Sequence, residues 1–252
     1  MPNDRNIMEA SNHPPELRIE NLSVNYGRFQ ALRNIQLTVH PGAFIALIGP
    51  NGGGKTTLFK AILGQVQPVA GNIYLDNRLM QGPTDSIGYV PQHRDFDQKF
   101  PITVREVVRM GRLKRTRLLR RYNRTDNEAT ERALSRVGLL ELKDRSIGAL
   151  SGGQLQRVLI ARALATGASI LLLDEATTHL DPESAHGLYT LLRKLNRSTS
   201  IVMSSHDINA MHHYADSIAC INRGLHIHRS DEVSLEHLHA SITGSGQMTG
   251  AA

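Results

Sequence analysis

The chain has 252 residues, 40% hydrophobic and 21% charged, with a net charge of +6, which suits a globular protein with one large core, or one core and a subdomain. One cysteine, Cys220, excludes an intrachain disulfide framework and fits a reducing compartment. Met1 to Leu17 lacks the apolar stretch of a secretory signal, and no apolar run approaches the roughly 18 residues of a membrane span, so a cytoplasmic protein is expected, with any membrane role supplied by a partner.

Residues 1–16 read as a flexible N-terminus. Leu17 to Val24 alternates and predicts a strand, Tyr26-Gly27 a turn, and Ala31 to Val39 a second strand ended by Pro41-Gly42. Ala43 to Ile48 is a short apolar run that reads as a buried parallel strand. Gly49-Pro50-Asn51-Gly52-Gly53-Gly54-Lys55-Thr56-Thr57 follows and fits the phosphate-loop pattern, Gly, four residues, then Gly-Lys-Ser/Thr. A helix from Thr57 to Leu63 comes next, with Gly64 as its stop. Strand, glycine loop and helix aim backbone N–H groups and a helix N-terminus at a polyphosphate. In that pattern Lys55 reaches the β- and γ-phosphates and the Thr56 hydroxyl sits on Mg²⁺. Tyr26 offers its ring to a purine, or is simply a surface residue of the hairpin.

Gly71 to Asp76 and Ile87 to Val90 are further strands, the second closed by Pro91-Gln92. From Thr103 the spacing turns helical, with Val104, Val107 and Val108 on one face. Residues 105–124 carry nine basic side chains and one acidic, a net +8 that leaves the rest of the chain at about −2. Such a patch suits a docking partner, an anionic surface or a solvated helix face. Nucleic acid is not expected, since no aromatic stacking platform accompanies the charge. Thr125-Asp126-Asn127-Glu128 reads as a capping box for a helix ending near Val137, before Gly138. Residues 93–150 thus form a mostly helical insertion.

Leu150-Ser151-Gly152-Gly153-Gln154 opens a helix from Leu155 to about Ala165, and is either a second anion-binding helix N-terminus or an ordinary cap. Ile170 to Glu175 is a buried strand ending in two carboxylates, where open α/β sheets place their ligands. Asp174 is suited to Mg²⁺ and Glu175 to polarising an attacking water. Asp181-Pro182 caps a helix to about Leu195. Ser200 to Ser204 is a strand followed by Ser205-His206-Asp207, and a histidine there can donate to a γ-phosphate or serve as a cap. Ile218 to Ile221 and Leu225 to His228 are short strands around Asn222-Arg223-Gly224. The Gly-, Ser-, Thr- and Ala-rich end of the 231–252 tail reads as disordered. The late histidines His212, His213, His226, His228, His237 and His239 leave a metal-binding module open as an alternative, although no cysteine or carboxylate set with firm ligand spacing accompanies them.

Together these motifs resemble the ATP-binding cassette of ABC transporters over roughly residues 17–230. The resemblance implies an α/β fold: a P-loop NTPase core with a parallel sheet, an antiparallel β subdomain, and a helical subdomain inserted at about 93–154. It implies that ATP and Mg²⁺ are bound and ATP is hydrolysed. Carried over by position, Tyr26 is the aromatic that stacks on adenine and Gly49 to Thr57 the Walker A loop. Gln92 is the Q-loop glutamine that senses Mg²⁺ and the membrane partner. Leu150 to Gln154 match the LSGGQ signature outright, so Ser151, Gly152, Gly153 and Gln154 would serve the nucleotide of a second copy in a head-to-tail dimer. Asp174 and Glu175 correspond to the Walker B aspartate and catalytic glutamate, Asp181 to the D-loop aspartate, and His206 to the switch histidine. Gly53 and Ala176 depart from the common pattern, where Ser or Ala and Pro stand, and are expected to loosen their loops.

A single cassette without a membrane span implies separate permease subunits at the cytoplasmic face of a bacterial inner (plasma) membrane. A periplasmic or surface substrate-binding protein would act through the permease. The Phe100-Pro101-Ile102-Thr103-Val104 and Val107-Val108-Arg109-Met110-Gly111-Arg112 phrases look like those of manganese, zinc and iron chelate-type importers. Iron-siderophore or cobalamin importers are the next alternative. A non-transport ABC protein of DNA repair or translation would need a long coiled coil or a second cassette, and the chain has neither.

Overall fold

The structure is a computed structural model and describes residues 14–92, 101–113, 121–236 and 238. Readings that fall on 1–13, on His93 to Phe100, on Lys114, Arg115, Arg117 and Arg120, on His237 and His239, and on 241–252 lie outside these residues.

The first strands, β1 (Leu17–Tyr26) and β2 (Phe29–Val39), form an antiparallel hairpin that closes on the pair Tyr26 and Phe29. β3 (Phe44–Ile48) leads into the phosphate loop and α1 (Lys55–Ile62). That helix starts two residues earlier than its sequence pattern suggests, because Lys55 and Thr56 already bond helically from the loop. β4 (Ala70–Leu75) and β5 (Arg78–Leu79) complete a four-stranded sheet in the order β2-β1-β4-β5.

β6 (Ile87–Val90) precedes the helical region, which holds α2 (Val104–Met110), α3 (Arg124–Arg136), short 3-10 turns at Leu140–Leu142 and Ile147–Ala149, and α4 (Gly152–Ala165). The expected Thr125–Glu128 box is not the cap of α3. Asn123 is the N-cap: its side chain accepts from the Asp126 N–H and Asp126 accepts from the Asn123 N–H, which places Thr125 inside the helix. Asparagine caps as well as serine does, and the box that forms lies two residues upstream of the expected one.

β7 (Ile170–Asp174), α5 (Pro182–Asn196), β8 (Ser200–Ser204), α6 (Ile208–Tyr214), β9 (Ser217–Asn222) and β10 (Gly224–Arg229) finish the chain. The short α6 had no signal in the apolar spacing; Asp207 caps it by accepting from the Ala210 N–H at 2.9 Å. The second sheet runs β10-β9-β3-β8-β7-β6, parallel throughout except for β10.

The central strands read as unbroken apolar runs because both of their faces are buried. Phe44, Ala46, Ile48, Leu171, Leu173, Ile201 and Met203 enter a core shared with α2, α3, α4 and α5. Ile45, Leu47, Ile170, Leu172 and Val202 enter the other, shared with α1 and the β1–β2 sheet. Each such side chain contributes about 1.5–3 kcal/mol when fully buried, and the two cores together lock the strand ends in register. Cys220 lies on β9 opposite Ile48, almost enclosed, and burial pushes its thiol up to about 11. Only the thiolate is reactive, and it forms only as pH approaches that value. At pH 8 the folded protein should therefore show no thiol reactive with a chromogenic disulfide reagent, and one after denaturation. Rapid reaction of the native chain would contradict a buried β9.

Candidate functional site

The loops at the C-terminal ends of β3, β6, β7 and β8 converge on one constellation. Lys55, at the start of α1, donates to the Gly49 carbonyl at 2.9 Å and the Pro50 carbonyl at 3.2 Å, which folds its side chain back over the loop. The loop is closed tightly against the β9–β10 turn. A Cβ on Gly49 would lie 2.0 Å from the Ile221 carbonyl oxygen, and one on Gly53 would lie 2.9 Å from it. Gly53 therefore does not loosen the loop; it lets the loop sit on Ile221. Ala176 is likewise packed in the core, at 3% exposure, so neither departure from the common pattern opens a gap.

β7 ends in Asp174, which is buried among three donors. Ser204 Oγ donates to its Oδ1 at 2.6 Å, while Thr56 Oγ1 at 2.9 Å and the Tyr89 hydroxyl at 3.3 Å donate to its Oδ2. Glu175 follows in the left-handed region at φ +49°, a conformation that a non-glycine residue keeps only when its surroundings hold it. The holder is Ser204 of β8, whose Oγ accepts from the Glu175 N–H at 2.9 Å. The turn aims the Glu175 carboxylate between two loops. Gln92 Nε2 donates to Oε2 at 2.5 Å, His206 Nε2 lies 2.6 Å from Oε1, and Lys55 Nζ lies 3.9 Å from Oε1. Burial lowers the Lys55 pKa, and the Glu175 and Asp174 carboxylates act in the opposite direction. Buried pairing of this kind places an ammonium where a polyanion would meet it.

Ser151 and Gln154 lie elsewhere. Ser151 caps α4, accepting from the Gln154 N–H at 3.2 Å, and Gln154 Oε1 accepts from the Ser151 N–H at 3.0 Å. Both readings of this segment thus have a footing: it is a capping box, and it is an exposed helix N-terminus. Asp181 caps α5 by accepting from the Ser184 N–H at 2.9 Å, and hydrogen bonding from the Ser184 side chain first, then from its backbone N–H, holds the Asp181 carboxyl below the usual range. Ser184 also borders Gly153, so the α4 and α5 N-termini are neighbours. Tyr26 sits at the hairpin end and is 45% exposed.

Residues 32–178 match the family model described as ABC transporter, more than half of the chain. The chain belongs to the ABC transporter family. It is 45% identical over 210 residues to a metal transport system ATP-binding protein of Chlamydia muridarum, covering 82% of this chain and 86% of that one. It is 38% identical over 212 residues to the manganese transport system ATP-binding protein of Halalkalibacterium halodurans, covering 84% of each. Its fold is similar to that of a structure described as an inward-facing metal-chelate type ABC transporter, with a TM-score of 0.78, 28% identity, and 91% and 89% of the two chains covered. The P-loop NTPase core with its antiparallel and helical parts is the fold of this family.

Two residues of this ABC ATPase escaped the sequence reading. Ser204 looked like the polar end of an apolar strand, and Tyr89 like a strand aromatic; both hold Asp174. The late histidines gain no support as a metal module. Among the described residues no group of three or more His, Cys, Asp or Glu is placed to hold a metal ion, and His212 Nε2 lies 2.9 Å from the Val233 carbonyl oxygen. Ser204→Ala removes the buried hydroxyl that donates to Asp174, leaves the Glu175 N–H only the longer bond to the residue 204 carbonyl, and should cost roughly 1–3 kcal/mol, read from the midpoint of urea unfolding. A variant as stable as the parent would contradict the hold on Asp174 and Glu175.

Proposed function

We propose that this chain is the ATP-hydrolysing subunit of a bacterial importer for a divalent metal, manganese, zinc or iron. The observation that carries the enzymatic part is the Glu175 carboxylate, gripped by Gln92 and His206 beside Lys55 and one residue past an Asp174 bonded to Thr56. The residues present fit MgATP: Thr56 and Asp174 offer paired hard oxygen donors, Lys55 supplies a cation at the loop, and the Gly49 to Thr57 backbone is free of side chains where it closes. When bound, Mg²⁺ neutralises phosphate charge and polarises phosphoryl oxygens.

In this reading Lys55 turns from the Gly49 and Pro50 carbonyls to the phosphates. Glu175 accepts a proton from the attacking water. His206 and Gln92 hold Glu175 in place and report on the terminal phosphate and the metal. Tyr26 stacks on the base. Ser151, exposed at the N-terminus of α4, and Asp181 beside it serve the nucleotide of a second copy, so the working unit is a head-to-tail dimer on permease subunits at the cytoplasmic face of the plasma membrane. Among the described residues no helix is long and apolar enough to cross a membrane; in this reading the pathway belongs to a permease fed by an external substrate-binding protein.

The metal reading rests on relatives described by metal cargo and on the Pro101 to Arg112 segment. Relatives described by manganese and by zinc are alike in their identity to this chain, at 38% and 40%. The physical reason is that this subunit never touches the cargo, so its residues do not choose among metals.

Glu175→Gln should lower ATP turnover about 10²–10⁴-fold while ATP binding survives and a dimer persists on size exclusion with ATP. Lys55→Ala should instead lose nucleotide affinity. A Glu175→Gln protein that stays active and monomeric would sink the ATPase assignment. A strain lacking the chain should hold less of one divalent metal and grow again when that metal is in excess. Normal manganese, zinc and iron contents with lost siderophore, sugar or peptide uptake would remove the metal and leave the ATPase.

A further inference from the structure

Three pieces of chain meet beside the phosphate loop, and one residue ties them together. Arg223, in the turn between β9 and β10, donates its N–H to the Gly53 carbonyl at 3.0 Å, and its own carbonyl accepts from the Arg33 N–H of β2 at 2.7 Å. These bonds hold Arg223 in the left-handed region at φ +59°. Its guanidinium carbon lies 5.2 Å from the centre of the Phe29 ring. Phe29 is the direct cross-strand partner of Tyr26, and the two residues are 49% and 45% exposed. Cross-strand partners share one face of a hairpin. An exposed aromatic pair with a cation over one ring therefore borders the loop that takes phosphates.

We infer that Phe29 and Arg223 are nucleotide-binding residues that hold the base and ribose of a nucleoside triphosphate on the Tyr26 face of the hairpin. Phe29 supplies apolar area to the base. The planar Arg223 guanidinium, already anchored over Phe29, supplies a stacking face and donors to base or ribose oxygen and nitrogen atoms. The inference rests on the ATP-binding reading above and adds to it a second wall that acts on the nucleoside and not on the phosphates.

The test compares MgATP with magnesium tripolyphosphate, which carries the charge without the nucleoside, by titration calorimetry. The Arg223→Gly variant retains a residue suited to the left-handed backbone, and Phe29→Ala removes the ring. Each variant should bind MgATP about threefold to thirtyfold more weakly, the range expected of a partly exposed cation–π or stacking contact. Tripolyphosphate should bind as it does to the parent. Parental MgATP affinity in both variants overturns the inference, as does an equal loss for both ligands, which would assign Arg223 to loop geometry. Phe29→Tyr should retain the parental affinity, and a loss as large as that of Phe29→Ala would overturn the role of the ring. A parent chain that binds neither ligand overturns the ATP-binding reading and the inference together.

Discussion

The site depends on the hydroxyl of Ser204. It donates to Asp174 and accepts from the backbone of Glu175, so a single oxygen on β8 fixes both acids at the end of β7. The Ser204 carbonyl adds a longer bond from the same Glu175 N–H at 3.2 Å, so the hydroxyl and backbone of one residue together hold the left-handed turn that aims the carboxylate between Gln92 and His206. Asp174 in turn joins Ser204, Tyr89 and Thr56, so the β8, β6 and α1 segments meet on one carboxylate. The low dielectric of the surroundings strengthens each of these bonds and makes each unmade one costly.

That network is held in place by burial on both sides of the sheet. The alternating side chains of β3, β7 and β8 enter two separate cores, so a slip by one residue would exchange the occupants of both. Register is thereby fixed to the residue at the strand ends, where the acids and loops stand. The helical region is built on the first core through α4, whose N-terminal Ser151 therefore has its position set by the same packing that holds β7.

Charge is used differently in the two halves of the chain. At the site, Lys55 is buried beside two carboxylates. In the basic stretch, most of the described arginines already have partners: Arg105 pairs with Asp144 at 2.8 Å, Arg112 with Asp126 at 3.1 Å, Arg124 with Glu128 at 2.8 Å, and Arg109 lies 4.4 Å over the Tyr122 ring. The net +8 of residues 105–124 is therefore partly neutralised inside the helical region, and reversing Arg105 or Arg109 would disturb α2 as well as any docking surface.

Read by itself, the sequence determined the local motifs on which the proposed chemistry rests. Gly49 to Thr57, Leu150 to Gln154 and Asp174-Glu175 are local patterns, because a phosphate-binding loop, a helix cap and a strand-end carboxylate each need particular residues at particular spacing within a few positions. The continuous apolar runs also revealed a doubly buried parallel sheet, since periodicity follows directly from which faces are covered. Only the tertiary structure decided who holds whom. Ser204 and Glu175 are far apart in sequence, as are Arg223 and Gly53, and no local pattern records a pairing formed by sheet order. The Asn123 cap and α6 were missed for a related reason: cap residues are interchangeable in short polar stretches, and only the geometry of the helix start selects one. The glycines at 49 and 53 show the limit most clearly, because their need to be small comes from an Ile221 carbonyl brought to the loop by β9.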